Sequence, residues 1–190
     1  MIVPQMIVKV CGITRREDAE VAAGAGATAI GFIFYPHSPR YVTPERAAEL
    51  GRGLDVWKVG VFVDESPVAV EAVMRAAKLD IVQLYGGETP QVPRVWRAFR
   101  MNQKFDPARA QDAEAVLFDG PSTGIAFDWT RARNAAGRVI IAGGLDASNV
   151  AEAIRVAQPW GVDASSRLES APGIKDPNKV RQFVKAALQS

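Results

Sequence analysis

Short apolar runs recur along the chain, and each is apolar at odd and even positions alike, with longer stretches of helical character between them. A strand covered on both faces must be apolar on both parities, which is the signature of a parallel sheet packed between layers. The pattern predicts strands at Ile7–Val10, Ala29–Phe34, Trp57–Val63, Ile81–Leu84, Val95–Phe99, Ala115–Phe118, Val139–Ala142 and Gly161–Ala164. Several intervening segments carry helix starts. Thr14 with Glu17 reads as a capping box, while Thr43-Pro44, Ser66-Pro67 and Asp176-Pro177 each read as an N-cap followed by proline at the first helical position.

Repeated strand–helix units joined by right-handed crossovers close most naturally into a barrel when there are eight of them, whereas doubly wound sheets more often have five or six strands. The fold expected is an α/β (β/α)8 barrel formed by residues 1–190 as one domain. At 190 residues the chain is short for such a barrel, for which about 250 is typical. The segment YGGETPQVPR between Leu84 and Val95 shows where length has been lost, because its glycines and prolines leave no room for an ordinary helix. The fourth helix is expected to be absent or reduced to a turn.

Composition narrows the function classes. With 48% hydrophobic residues the chain can bury a sizeable core, and 23 basic against 21 acidic residues, without long charge blocks, give no support to nucleic-acid binding. No apolar run approaches the ~20 residues that span a bilayer, and the opening MIVPQMIVKV lacks the parts of a signal peptide and reads as a first strand. No membrane partner and a cytoplasmic location are therefore expected. A single cysteine excludes an internal disulfide framework, and a single histidine argues against a histidine-based metal site. Neither a metal nor an organic cofactor is required.

In a barrel the residues just after each strand gather on one rim, where such enzymes place their chemistry. Here that rim collects Cys11, Arg40, Asp64, Tyr85 and Asp119, then Gly143-Gly144 and Ser165-Ser166 after the last two strands. The glycine pair leaves backbone N–H groups open to an anion, ahead of a helix expected to begin near Asp146. Paired with Ser165-Ser166 it matches the phosphate cradle common after strands seven and eight, although a glycine pair can also serve only a tight turn. Taken alone, Cys11 is also compatible with a small buried hydrophobe, Asp119 with a turn cap, Asp163 with a structural hydrogen-bond acceptor and His37 with a solvated loop.

These residues lie within stretches that resemble the phosphoribosylanthranilate isomerase family nearly end to end. The resemblance is carried by Val8-Lys9-Val10-Cys11-Gly12-Ile13-Thr14, by Gly31-Phe32-Ile33-Phe34 leading to Ser38-Pro39-Arg40-Tyr41-Val42, and by Val59-Gly60-Val61-Phe62-Val63. Val82-Gln83-Leu84, Phe127-Asp128-Trp129, Ala142-Gly143-Gly144-Leu145 and Glu169-Ser170-Ala171-Pro172-Gly173-Ile174-Lys175-Asp176 continue it. It implies a step of tryptophan biosynthesis, an Amadori rearrangement of a small phosphorylated substrate. It further implies Cys11 as general base, Asp119 as general acid, and Arg40 as partner of the anthranilate carboxylate. Gly143, Gly144, Asp163, Ser165 and Ser166 then fall among the substrate-binding residues. Monomer and homodimer both remain open.

Three features depart from the family pattern. The usual Ser-Ser-Gly-Val-Glu is here Ser165-Ser166-Arg167-Leu168-Glu169, which makes Arg167 a candidate phosphate ligand by side chain. The loop between Asp119 and Phe127 is short, and Tyr85 replaces the usual histidine after Gln-Leu. Two rival readings keep the barrel: an isomerase of another phosphorylated aminoaldose, and a phosphate-ligand binding protein without turnover.

Overall fold

The structure is a computed structural model that describes residues 6–102, 107–133, 135 and 137–190; the first five residues of the predicted opening strand segment lie outside it. Eight parallel strands close into a barrel in chain order: β1 (Ile7–Cys11), β2 (Ala29–Ile33), β3 (Trp57–Val63), β4 (Ile81–Tyr85), β5 (Val95–Arg100), β6 (Ala115–Asp119), β7 (Val139–Ile141) and β8 (Gly161–Ala164). Closure comes from β1 pairing with β8 in a register that sets Lys9 opposite Asp163. All eight predicted strands are present, with ends shifted by one residue at most.

Five α-helices flank the barrel among the described residues: α1 (Arg16–Gly24), α2 (Pro44–Gly51), α3 (Pro67–Ala77), α4 (Val150–Ala157) and α5 (Pro177–Leu188). The buried positions Val180, Phe183, Val184 and Ala187 of α5 recur at the three- and four-residue spacing that makes one apolar face. Three predicted caps form as read. Thr43 accepts from the Arg46 N–H, Ser66 from the Ala69 N–H, and Asp176 from the Asn178 and Lys179 N–H groups.

Two helix starts are corrected. The capping box at Thr14 and Glu17 does not form: α1 has Arg15 at its N-cap, and the Thr14 hydroxyl instead donates to the carbonyl of Gly173 in a distant loop. The helix expected near Asp146 begins at Val150, because the Asp146 carboxylate takes the Ser148 N–H and hydroxyl into a local turn. No helix follows β4 among the described residues, in line with the reading of YGGETPQVPR. The shortening goes further than the sequence reading foresaw. Described residues after β5 and β6 carry only the 3₁₀ turns Pro107–Ala110 and Trp129–Arg131.

Strand alternation divides the apolar residues into two cores. Val8, Ile30, Phe62, Val82 and Val116 face outward to the helices and loops, whereas Ile7, Trp57, Ile81, Trp96 and Ile140 fill the interior. The interior apolar set crowds the N-terminal end of the barrel. Two residues further along β1, β4 and β6 the same parity delivers Lys9, Gln83 and Leu117, and two beyond those Cys11, Tyr85 and Asp119. Among the described residues no helix is long and apolar enough to cross a membrane.

Candidate active site

One cavity at the C-terminal mouth is lined by Cys11, Arg40, Asp119, Gly143, Gly144, Asp163, Ser165, Ser166 and Arg167, so the structure brings every predicted site residue together. His37 lies outside it, exposed, with its ring against Tyr35. Cys11 is nearly buried at the end of β1, and Asp119 ends β6. Both groups line the same cavity from different strands.

Lys9, two residues before Cys11, occupies the same inward face and is fully buried. Its Nζ lies 2.8 Å from Asp163 Oδ2, and its charge acts on the neighbouring Cys11 thiol. Burial raises the Cys11 thiol above its ordinary range, against the pull of the Lys9 and Lys175 charges toward thiolate. Burial also opposes the charge on Lys9, yet Asp163 and Cys11 outweigh it and hold the ammonium above its ordinary value. Gly31 makes the arrangement sterically feasible: a Cβ there would stand 2.7 Å from the Cys11 sulfur and 3.0 Å from Lys9 Cε.

Asp119 is raised above the ordinary carboxyl range by burial, partly offset by hydrogen bonds from Tyr85 and the Gly120 N–H and by the Arg100 charge. A raised carboxyl is what a proton donor needs, since an unperturbed aspartic acid is ionised at neutral pH. Asp163 Oδ1 and Gln83 Oε1 are buried at the cavity and have no hydrogen-bond partner within the described protein. Such oxygens are acceptors in search of donors, and the hydroxyls of a sugar supply donors.

Arg40 is not a free cation. Its Nε and Nη2 form a fork with Glu169, both at 2.7 Å, and Lys175 Nζ reaches Glu169 at 2.9 Å. Among the described residues its Nη1 has no protein partner, which leaves one edge of the guanidinium for a ligand. Lys175 also donates to the Ser165 carbonyl, and the Ser165 hydroxyl donates to the carbonyl of Cys11, so one buried network ties the last loop to the first strand.

The glycines after β7 have a second duty beyond the one read from sequence. Gly143 and Gly144 adopt φ of +84° and +65°, and a Cβ would come within 2.3 Å of Gly120 N and 2.6 Å of Ala126 N respectively. Their bare faces are therefore packed against the loop after β6. Arg167 pairs with Asp146 at 3.0 Å and donates to the Gly124 carbonyl, so it clasps the loops after β6 and β7 while lining the cavity.

Sequence reading gave no role to Lys9, Gln83, Glu169, Lys175 or Arg100. Lys9 alone left a signal. A lysine inside the apolar strand IVKVC, two residues from the cysteine, shares the cysteine's face and must be buried with a partner.

Residues 8–186 match the family described as N-(5'phosphoribosyl)anthranilate (PRA) isomerase. An N-(5'-phosphoribosyl)anthranilate isomerase from Solibacter usitatus is 52% identical over 96% of this chain and 97% of its own, and one from Trichlorobacter lovleyi is 45% identical over 96% and 98%. Among solved structures, the phosphoribosyl anthranilate isomerase of Thermus thermophilus superposes with a TM-score of 0.88 at 36% identity, covering 97% of this chain and 99% of that one. Another, in complex with reduced 1-(o-carboxyphenylamino)-1-deoxyribulose 5-phosphate, has a TM-score of 0.85 at 36% identity, covering 97% and 100%. This chain belongs to the N-(5'-phosphoribosyl)anthranilate isomerase family.

Proposed function

We propose that this chain converts N-(5'-phosphoribosyl)anthranilate to 1-(o-carboxyphenylamino)-1-deoxyribulose 5-phosphate in tryptophan biosynthesis, with Asp119 as general acid and Cys11 as general base. The observation that carries the reading is a buried thiol, flanked by a buried ammonium, sharing one cavity with a carboxyl group raised by burial. Asp119 gives its proton to the ribose ring oxygen, and the ring opens to an iminium. Cys11 then removes the C2′ proton, and the resulting enolamine ketonises.

The base acts as a thiolate, which Lys9 favours before substrate arrives and the cationic iminium favours afterwards. The ordinary values, about 3.9 for Asp and about 8.5 for Cys, place the carboxyl below the thiol, and burial moves both groups upward. The reactive pairing of thiolate with protonated carboxyl is then a minority form at every pH. Its population is level between the two pKa values and falls on either side.

Arg40 offers its free edge to the anthranilate carboxylate while Glu169 fixes its plane. The phosphate is held by the backbone of Gly143-Gly144 and Ser165-Ser166, with Arg167 adding charge at the rim. Asp163 Oδ1 accepts from a ribose hydroxyl. The decisive experiment follows the fluorescence of freshly made phosphoribosylanthranilate on addition of the protein. Consumption with formation of the amino-ketose is expected. Undiminished substrate would overturn the proposal, and tight binding without product would favour the binding-protein alternative.

A further inference from the structure

Tyr85 ends β4, where the alternation that turns Ile81 and Gln83 inward brings its ring to the cavity wall. Its hydroxyl donates to Asp119 Oδ2 at 3.0 Å. Arg100, ending β5, lies with its Cζ 5.7 Å from the Tyr85 ring centroid, and its charge favours the ionised form of Asp119. The carboxyl thus has Oδ2 occupied by a fixed side-chain donor, and no side chain among the described residues donates to Oδ1.

We infer that Tyr85 is a positioning residue for the general acid: by holding Oδ2 it directs the transferable proton to Oδ1, and it stabilises the carboxylate that remains once the proton has left. The inference rests on the acid role proposed for Asp119. A donor preset at the place where negative charge develops needs no reorganisation during the reaction, which is the condition for effective electrostatic stabilisation.

The charged groups around this pair are few. Asp119 faces Tyr85 from β4, Arg100 from β5, Asp163 from β8 and the N–H of Gly120. Tyr85 in turn faces Asp119, Asp163 and, from β1, Cys11. Burial first, and then these acidic neighbours, push the phenol well above its ordinary range, so it stays a donor wherever the enzyme works.

The test is the pH profile of kcat/KM for wild type, Tyr85→Phe and Asp119→Asn. The phenylalanine keeps the ring and its stacking with Arg100 and removes only the donor. Below the lower inflection Asp119 is fully protonated and the rate follows the thiolate fraction, so that inflection reports Asp119 and the upper one Cys11. A hydrogen bond to a charged group holds the charged form, so its loss raises the lower inflection by about one pH unit and leaves the upper one in place. Below the lower inflection Tyr85→Phe is expected to lose about tenfold in kcat/KM, with the deficit shrinking on the plateau, where the ground-state carboxylate also loses the bond. Asp119→Asn is expected to abolish the lower inflection.

A deficit uniform across pH, or a lower inflection that vanishes in Asp119→Asn but does not move in Tyr85→Phe, would overturn the role of Tyr85 alone. A lower inflection that persists in Asp119→Asn would overturn the acid assignment, and absence of conversion by wild type would overturn the function.

Discussion

At the N-terminal end of the barrel Glu114 accepts from both Arg94 and Arg138, and the two guanidinium groups lie 4.0 and 4.8 Å from the ring centroids of Trp57 and Trp160. At the C-terminal end Lys9 and Asp163 form a single pair at 0% and 5% exposure, next to a thiol, with one Asp163 oxygen left unpartnered. The floor thus keeps its charges partly in water and neutralises them over flat aromatic faces, which costs little. The mouth takes its charges out of water, where their attraction must offset desolvation and where their pKa values move. The same alternation of side chains builds both ends, and the choice of residue decides which end can do chemistry.

The contrast is broken most severely at the mouth. Cys11→Ser and Asp119→Asn are each expected to lower turnover by at least about 100-fold, the scale of lost acid–base assistance. Unfolding should not follow. The folded-state pKa of Asp119 is raised, so its ionisation costs stability at neutral pH; Asp119→Asn should leave the thermal midpoint unchanged or higher. A turnover near that of wild type in either variant would remove that residue from the mechanism.

Breaking the buried pair comes next. Lys9→Met strands Asp163 and should cost about 3 kcal/mol in urea unfolding, whereas Lys9→Met with Asp163→Leu should recover much of that stability without recovering activity. Equal stability for the single and double variants would show that the pair is not coupled. At the floor, Glu114→Gln should cost under about 1 kcal/mol and leave kcat/KM untouched, because its partners remain hydrated and stacked. A larger loss would mean that the two ends do not differ in the way the geometry implies.

A pH titration sharpens the comparison within the mouth. Burial tends to raise Glu169, but the Arg40 fork and Lys175 outweigh it and hold the carboxyl below its ordinary range. A depressed carboxyl stabilises the fold above its unfolded value, about 4.3, and that contribution is lost as pH falls through the lower folded value. The stability advantage of wild type over Glu169→Gln should therefore shrink below about pH 4. An advantage constant with pH would place the coupling elsewhere.

Much of this was readable along the chain. The apolar runs located all eight strands, and Thr43-Pro44, Ser66-Pro67 and Asp176-Pro177 began their helices as their side chains dictate. Cys11 and Asp119 were legible because a polar group at the end of an apolar strand stands on the rim once the barrel closes. Thr14 misled because its hydroxyl had a partner 159 residues away that no local pattern could reveal. Arg40 was legible as a cation at the site but not as one already forked by Glu169, since that pair spans 129 residues.

Local order therefore determined the strands, most helix starts and the inward or outward parity of every strand residue, because backbone sterics and alternation act between near neighbours. Only closure of the barrel decided which polar groups meet. Lys9 finds Asp163 because β1 pairs with β8, and Tyr85 finds Asp119 across β5 because the barrel's inner faces converge. Those contacts set the charge states on which the chemistry depends, and charge states respond to distance and burial, which exist only in the folded chain.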